Sequence, residues 1–428
     1  VSDRTIAYLA GQFPLRSETF VYREVRELRR RGWNVVAGAL NPSPDSEDPN
    51  FKDLSDGAFV VYDRGWIGRS FGELFAHPLS SLSTLFTSIG DALAPGEAMK
   101  FRERIKLPAQ AFAALGLAKR LREKGVERIH CHFAHAPTTV GMYAARALGI
   151  PFSFTGHAND LFQRRALLAR KLGRAHFVSC ISQWHRELYH SIMPRDSGYE
   201  VVRCGVDVSA FAPERVPLKW HCRSDEGVVR VLTVSRLVEK KGTDTLIRAL
   251  ADFGKQTGKP WQLVVAGEGP EKEKLIGLTN DLACSSSVQF LGAVDNAQVK
   301  ELLADCDVFA LPCRRDANGD ADGIPVVLME AMACGVPVIS GDLPAIRELV
   351  EHNVNGILID GRDVKACASA IETLADDENR RRTLGLAGRI RVESEFSLAK
   401  NVDRLEKLLS GAAQGEKGLS GVAQPRMT

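Results

Sequence analysis

Twice along this chain, short unbroken runs of Val, Ile, Leu, Phe and Ala alternate with amphipathic helical stretches, and this repeat restricts the fold more than any other feature. A run such as Trp261-Gln-Leu-Val-Val-Ala-Gly267 is apolar on both sides of a strand, as a strand covered on both faces of a parallel sheet must be. The first series predicts strands at 5–9, 34–40, 59–61, 129–133, 152–155, 177–180 and 201–203. The second predicts strands at 228–234, 262–266, 288–290, 308–311, 338–340 and 356–359, with helices near 242–254, 270–282, 296–304, 325–334 and 362–376. Between the series, residues 214–227 are polar and aperiodic, so they read as a linker. The expectation is an α/β chain of two Rossmann-like domains, 1–213 and 228–385, with a cleft between the carboxyl ends of their strands. A helical segment follows at 386–410, then a Gly/Ala/Gln/Ser tail at 411–428 whose composition favours disorder.

One stretch breaks the alternation. Residues 66–124 carry an apolar stripe, Leu74, Phe75, Leu79, Leu82, Leu85, Phe86 and Ile89, followed by basic clusters at 100–106 and 119–124. This reads either as an inserted helical pair packed on the first domain or as an amphipathic surface that rests on a membrane or grips an acceptor. A further basic cluster is Arg164, Arg165, Arg170, Lys171 and Arg174. Charge is unevenly shared: residues 1–213 carry a net +7 and the remainder −4. That suits an anionic partner for the first half, while the lack of interleaved aromatics argues against nucleic acid. The nine cysteines form no CxxC pair, which points to a reducing compartment and to neither a zinc site nor a disulfide framework. The first ten residues read as a strand and not a leader, and no apolar run is long enough to span a bilayer.

Chemistry-bearing residues cluster where strands should end. The densest unit runs from Asp322 through Gly323, Ile324 and Pro325 to Glu330, and exits the helix at Gly335 and Pro337. Pro325 suits a first helical position, and the free N–H groups of that turn can face a phosphate or a developing negative charge. Asp322 and Glu330 can then meet different parts of one long ligand. After the strand 228–234, Arg236 and Lys241 can neutralise a diphosphate, one as a fork and one as a point charge. The turn Gly267-Glu-Gly269-Pro270 lets another group approach its backbone. Its spacing matches neither a dinucleotide fingerprint nor a Walker loop. In the first half, His157 follows the strand 152–155 with Asp160 close behind. Gly11, Ser17, Glu18 and Thr19 follow the first strand, with Ser17 placed to cap the next helix. His130, His132 and His135 tempt a metal assignment, but no cysteine or carboxylate completes a zinc spacing.

Taken together, Arg236…Lys241-Gly242, the Gly-Glu-Gly-Pro turn and Asp322-x7-Glu330 resemble the retaining GT-B-type glycosyltransferases of family 4. FPLRSETF at 13–20 and FTGHANDLF at 154–162 resemble the bacterial members that assemble exopolysaccharides of the colanic-acid type. The resemblance spans about residues 4–408 and implies a GT-B fold whose last helix packs back on the first domain. It implies transfer of a hexose from a UDP- or GDP-sugar to a lipid-linked or oligosaccharide acceptor, with retention and with no metal or other cofactor. It places the protein in the cytoplasm, peripheral on the inner face of the plasma membrane. By position, Glu330 would bind the ribose, and Asp322 with the backbone of Gly323 and Ile324 would hold the donor sugar, beside Pro325, Gly267 and Gly269. Arg236 and Lys241 would stabilise the leaving diphosphate. His157 would contact the sugar near the reacting carbon, and Gly11, Ser17, Glu18, Thr19 and Asp160 would line the acceptor side. Asp322 replaces the family's usual Glu, and Cys204 the usual Asn before Gly-Val-Asp.

Overall fold

In the computed structural model, residues 4–95, 99–157, 165–211 and 227–415 are described, with side chains to 411 in the last helix. Asp160 and most of the expected linker lie outside the described residues. The chain divides into two units, one of residues 1–181, 185–202 and 399–428 and one of 182–184 and 203–398.

The first unit holds a seven-stranded parallel sheet, β1 (Thr5–Ala10), β2 (Asn34–Ala39), β3 (Phe59–Val60), β4 (Arg128–His132), β5 (Phe152–Gly156), β6 (Val178–Cys180) and β7 (Tyr199–Val201), in the order β3-β2-β1-β4-β5-β6-β7. Every residue of β1, β4 and β5 is buried, as the apolar runs require. The last strand begins two residues earlier than its apolar run suggests, because Arg203 leaves the ladder to pair with Glu348 at 2.9 Å. Helix α1 (Thr19–Arg30) buries Val21, Tyr22, Val25 and Leu28 at helical spacing. Ser17 does not cap it. Glu18 occupies the cap position without a side-chain cap bond, and Ser17, one residue too early, is exposed. After the short α2 (Lys52–Ser55), the chain forms α3 (Trp66–Ala76), α4 (Pro78–Leu93), α5 (Phe101–Glu123), α6 (Ala136–Leu148), α7 (Leu168–Arg174) and α8 (Gln183–Ile192).

The 66–124 stretch is three helices and not a pair, and its stripe is turned outward. Leu74 and Leu85 pack on Leu115, Ala118 and Ala147, but Phe75, Leu79, Leu82, Phe86 and Ile89 are exposed. Ser70, Ser81, Thr84 and Ser88 are buried instead. Small hydroxyl residues let the helices approach closely; Ser70 and Thr84 donate within their own helices, to Trp66 O at 2.9 Å and Ser80 O at 2.8 Å, while Ser81 donates across to Glu73 O of α3 at 3.3 Å. Two carboxylates also point inward: Glu73 meets Arg122 at 2.8 Å, and Asp91 meets Arg170, Arg174 and the Tyr143 hydroxyl. The basic cluster at 164–174 is therefore largely internal in function, since Arg170 and Arg174 grip Asp91 and Lys171 is fully buried. No described helix is long and apolar enough to cross a membrane.

The second unit is a six-stranded parallel sheet of β8 (Val229–Val234), β9 (Trp261–Ala266), β10 (Val288–Gly292), β11 (Val308–Leu311), β12 (Val338–Gly341) and β13 (Ile357–Ile359), ordered β10-β9-β8-β11-β12-β13. Its helices are α9 (Thr243–Thr257), α10 (Lys272–Asp281), α11 (Asn296–Asp305), α12 (Val326–Cys334), α13 (Val364–Asp376) and α14 (Glu378–Glu395). Strand alternation separates two cores. Phe309 and Leu311 join α12 in one, while Val308 and Ala310 join α9 and α13 in the other. The final helix, α15 (Leu398–Gly415), belongs from residue 399 to the first unit. There Glu406 accepts from Trp33 Nε1 at 3.0 Å and, with Asp403, pairs with Arg31.

Candidate functional site

In both sheets the strand order reverses beside the first strand of the unit, between β1 and β4 and between β8 and β11. Loops leaving the carboxyl ends of such neighbours run in opposite directions, which opens a crevice where ligands of α/β sheets bind. The residues singled out in the sequence fall at these two places.

In the second unit, β8 leads into Ser235–Lys241 and β11 into a loop that reaches Asp322. The crossing of these loops joins Lys241 to Asp322 at 2.9 Å, with Lys240 at 3.0 Å from Asp320 and 3.5 Å from Asp322. The Cys313 thiol donates to Asp322 at 3.3 Å. Burial acts to raise the Asp322 carboxyl and is outweighed by Lys241 and Lys240, so its value is lowered. Burial likewise acts to lower Lys241, and Asp322 outweighs it, so the ammonium is held charged. Arg236 is exposed; its carbonyl accepts from Val238 N at 3.0 Å, and its guanidinium makes no hydrogen bond among the described residues. The approach permitted by the Gly-Glu-Gly turn is made by this same loop. A Cβ on Gly267 would lie 1.8 Å from Ser235 O, and one on Gly269 2.2 Å from Leu237 O. These glycines set the position of the Arg236 loop.

Pro325 is the cap of α12 and not its first residue, with an extended ψ of 128°, and Val326 begins the helix. Gly323 and Ile324 stand between Asp322 and that cap, Ile324 packing on the apolar core. Glu330, one turn in, is buried at 5% exposure within an otherwise apolar helix. Gly335, at φ 81°, closes the helix in the left-handed conformation. A cavity of about 520 Å³ lies beside these loops, lined by Arg314, Arg315, Asp316, Asp342, Asp360 and Arg362 among others. Sequence reading missed it, although an Arg-Arg pair just past a strand was visible.

In the first unit, His157 follows β5 and stacks between Phe20 and Phe133, at 4.4 and 4.7 Å between ring centres. It is the end of a buried chain of polar contacts. Tyr8 Oη donates to Glu24 Oε1 at 2.7 Å, His132 Nε2 lies 3.2 Å from that oxygen, and His132 Nδ1 lies 3.3 Å from His157 Nε2. Burial acts to raise Glu24 and is outweighed by His132, His130 and the Tyr8 hydroxyl together, so its value is lowered. An ionised Glu24 only accepts, so His132 Nε2 donates to it. Burial, then the surrounding histidines, holds His157 well below the usual imidazole value. His130 is pushed down to about 3 by burial, and both its nitrogens meet hydroxyls, Ser153 at 2.8 Å and Thr155 at 3.0 Å.

The carboxylate that the histidine spacing lacked is Glu24, from the next helix. Its oxygen and the nitrogens of His130 and His132 lie within 4.8 Å of one another, close enough to hold a cation, and the hydrogen bonds above occupy the same atoms. Gly11 faces His135, whose Cε1 would be 4.0 Å from an added Cβ. Fully buried Lys171 donates to Ala134 O at 2.6 Å and His135 O at 3.1 Å, fixing the loop after β4. Ser17, Glu18 and Thr19 sit at the start of α1, on the same side of the sheet end as Phe20.

Two family descriptions match the chain: "Glycosyltransferase Family 4" over residues 17–210 and "Glycosyl transferases group 1" over 218–391. Among curated proteins, the chain is 34% identical over 251 residues to a GDP-mannose-dependent alpha-(1-6)-phosphatidylinositol monomannoside mannosyltransferase of Mycobacterium tuberculosis, covering 58% of this chain and 65% of that protein. It is 35% identical over 214 residues to the amylovoran biosynthesis glycosyltransferase AmsK of Erwinia amylovora, covering 50% of this chain and 51% of that one. The matched stretches thus span less than two thirds of these relatives. Among solved structures, HepE of Anabaena in complex with UDP and glucose superposes with a TM-score of 0.70 at 20% identity, covering 95% of this chain and all of that one. Sucrose-phosphate synthase of Thermosynechococcus elongatus gives 0.72 at 19% identity, with 96% and 100% coverage. These likenesses give the two-domain GT-B fold.

Proposed function

Because the chain belongs to glycosyltransferase family 4, we propose that it transfers a hexose, with retention, from a nucleotide diphosphate to a hydroxyl of a lipid-linked saccharide in surface-polysaccharide synthesis. The observation that carries this reading is the Lys241–Asp322 contact at the reversal of the second sheet. A nucleotide diphosphate leaves with growing negative charge, and fixed cations that meet that charge lower the barrier most when already in place. Lys241 and exposed Arg236 supply them in the absence of a metal. As the diphosphate draws Lys241, Asp322 becomes available to the sugar hydroxyls, with the N–H groups of Gly323 and Ile324 and the cap residue Pro325 beside it. Buried Glu330 takes the ribose, and Gly267 and Gly269 hold the Arg236 loop in place. His157, held neutral by burial, contacts the sugar near the reacting carbon. Gly11, Ser17, Glu18, Thr19 and Asp160 serve the acceptor. The acceptor hydroxyl attacks on the face the diphosphate leaves.

The mannosyltransferase relative, named for GDP-mannose and a phosphatidylinositol glycolipid, supports a purine donor and a lipid acceptor. HepE, solved with UDP, supports the pyrimidine alternative. The lipid acceptor places the enzyme peripherally at the inner face of the plasma membrane. A calorimetric screen of UDP- and GDP-hexoses in excess chelator, followed by slow donor hydrolysis, tests the proposal. One nucleotide series should bind and turn over. Binding without turnover would indicate a sugar-nucleotide-binding protein, and interconversion of the donor without an acceptor would indicate an epimerase.

A further inference from the structure

Helices α3 and α4 are built inside out for a protein in water. Ile67, Phe71 and Phe75 of α3 and Leu79, Leu82, Phe86, Ile89 and Leu93 of α4 face outward, Phe75, Leu79 and Phe86 at 79%, 85% and 69% exposure. Phe101 and Ile105 continue the surface from α5, whose start is held to the end of α4 by Arg104 bonds to Ala92 O and Ala94 O, both 2.8 Å. Ten large apolar side chains are more than an isolated soluble surface carries without a partner.

Charge decides which partner fits. From Trp66 to Leu93 the ionisable side chains other than His77 are Arg69, which pairs with Asp63, and Glu73 and Asp91, which are turned inward onto arginines. The exposed charges that flank the surface, among the described residues from 64 to 106, are Arg64, Lys100, Arg102 and Lys106, all basic. A surface that is apolar at its centre and whose exposed edge charges, among the described residues, are basic complements an anionic lipid leaflet. At 16 residues, α4 is about 24 Å long, short of the roughly 30 Å hydrocarbon core, so it would lie in the interface and not cross it.

We propose that the outward face of α3, α4 and the first turns of α5 seats this chain on an anionic phospholipid surface by partial insertion of its apolar side chains. A cavity of about 330 Å³ lies along the first turns of α5, lined by Glu103, Lys106, Leu107, Gln110, His135 and Thr139 among others. It receives the headgroup of a lipid-linked acceptor resting in the same surface. That second assignment rests on the transferase reading; the docking itself does not.

The test is co-sedimentation of the full chain with phosphatidylcholine vesicles, with and without phosphatidylglycerol. Wild type should bind the anionic vesicles at least about tenfold better than the neutral ones. The variant Phe75→Ser/Leu79→Ser/Phe86→Ser, whose fold is checked by circular dichroism, should lose binding to both. Lys100→Ser/Arg102→Ser should lose the preference for anionic lipid. Unchanged binding by the triple variant overturns the proposal. So does a wild-type dimer that ignores vesicles and becomes monomeric in the triple variant, since the face would then cover a second copy. Donor hydrolysis is measured alongside without lipid. Vesicle binding without hydrolysis leaves the docking standing and removes the transferase reading, while hydrolysis without vesicle binding does the reverse.

Discussion

At the scale of single residues, the Lys241–Asp322 pair separates chemistry from stability. Lys241→Ala removes a charge the proposed transition state needs and leaves a nearly buried carboxylate with the more distant Lys240, at 3.5 Å, and the Cys313 thiol. Turnover should fall about 10²- to 10³-fold, and unfolding free energy by about 3 kcal/mol in denaturant titration. Lys241→Ala/Asp322→Ala should recover most of the stability and none of the turnover. Recovery of both would remove the pair from the reaction. The histidines make a different prediction. His130, down at about 3, His185, down at about 4, and His157 are held below the ordinary imidazole value by burial. Between those native values and about 6.5 the unfolded chain binds protons that the native chain does not, so stability rises with pH across that window and levels off above it. The urea midpoint should therefore drop steadily from pH 6.5 to 4 and stay flat from 7 to 8.5. His130→Gln should shrink the drop, and a midpoint unmoved at pH 4 would contradict the burial of these rings. Arg236, Lys241 and Asp322 were legible because they lie in loops that follow strands, and Glu330 because it is the one charge in the apolar helix after them. Glu24 was not, because its tie to His132 crosses 108 positions of sequence.

Among elements, strands were the most legible, since a strand buried on both faces must be apolar throughout and its run marks itself. Sequence periodicity marks a last helix near 396–410 but does not single out α14 before it, because the apolar residues of α14 share no one face: Leu384 and Val392 are buried while Leu386 and Ile390 are exposed. The inserted helices show the deeper limit. An apolar stripe at helical spacing states that one face differs from the other, and periodicity carries no sign for which faces the core. Asp91 supplies the sign, anchoring α4 through Arg170, Arg174 and Tyr143. Asp91→Ala leaves two arginines gathered around nothing and should cost about 3 kcal/mol. Hydrogen exchange should show α4 opening ahead of the sheet. Equal protection of α4 in variant and wild type would mean that apolar contacts alone hold it.

For the molecule as a whole, the chain crosses between its two units near residues 202 and 398, so the last helix completes a unit begun some 370 residues earlier. Truncation after Phe396 should lower the melting of the first unit through loss of the Arg31 and Trp33 contacts, while the second unit keeps its transition in calorimetry. A single transition lowered as one would show that the units unfold together. Two parallel sheets, their strands and the loops at their carboxyl ends followed from the sequence, because backbone periodicity and burial are local and repeat. The partners of buried charges, the outward turn of the inserted helices and the return of the last helix were decided only by tertiary structure. A charge, a stripe or a helix end is satisfied by whatever the fold brings near it, and distance along the chain carries no record of that.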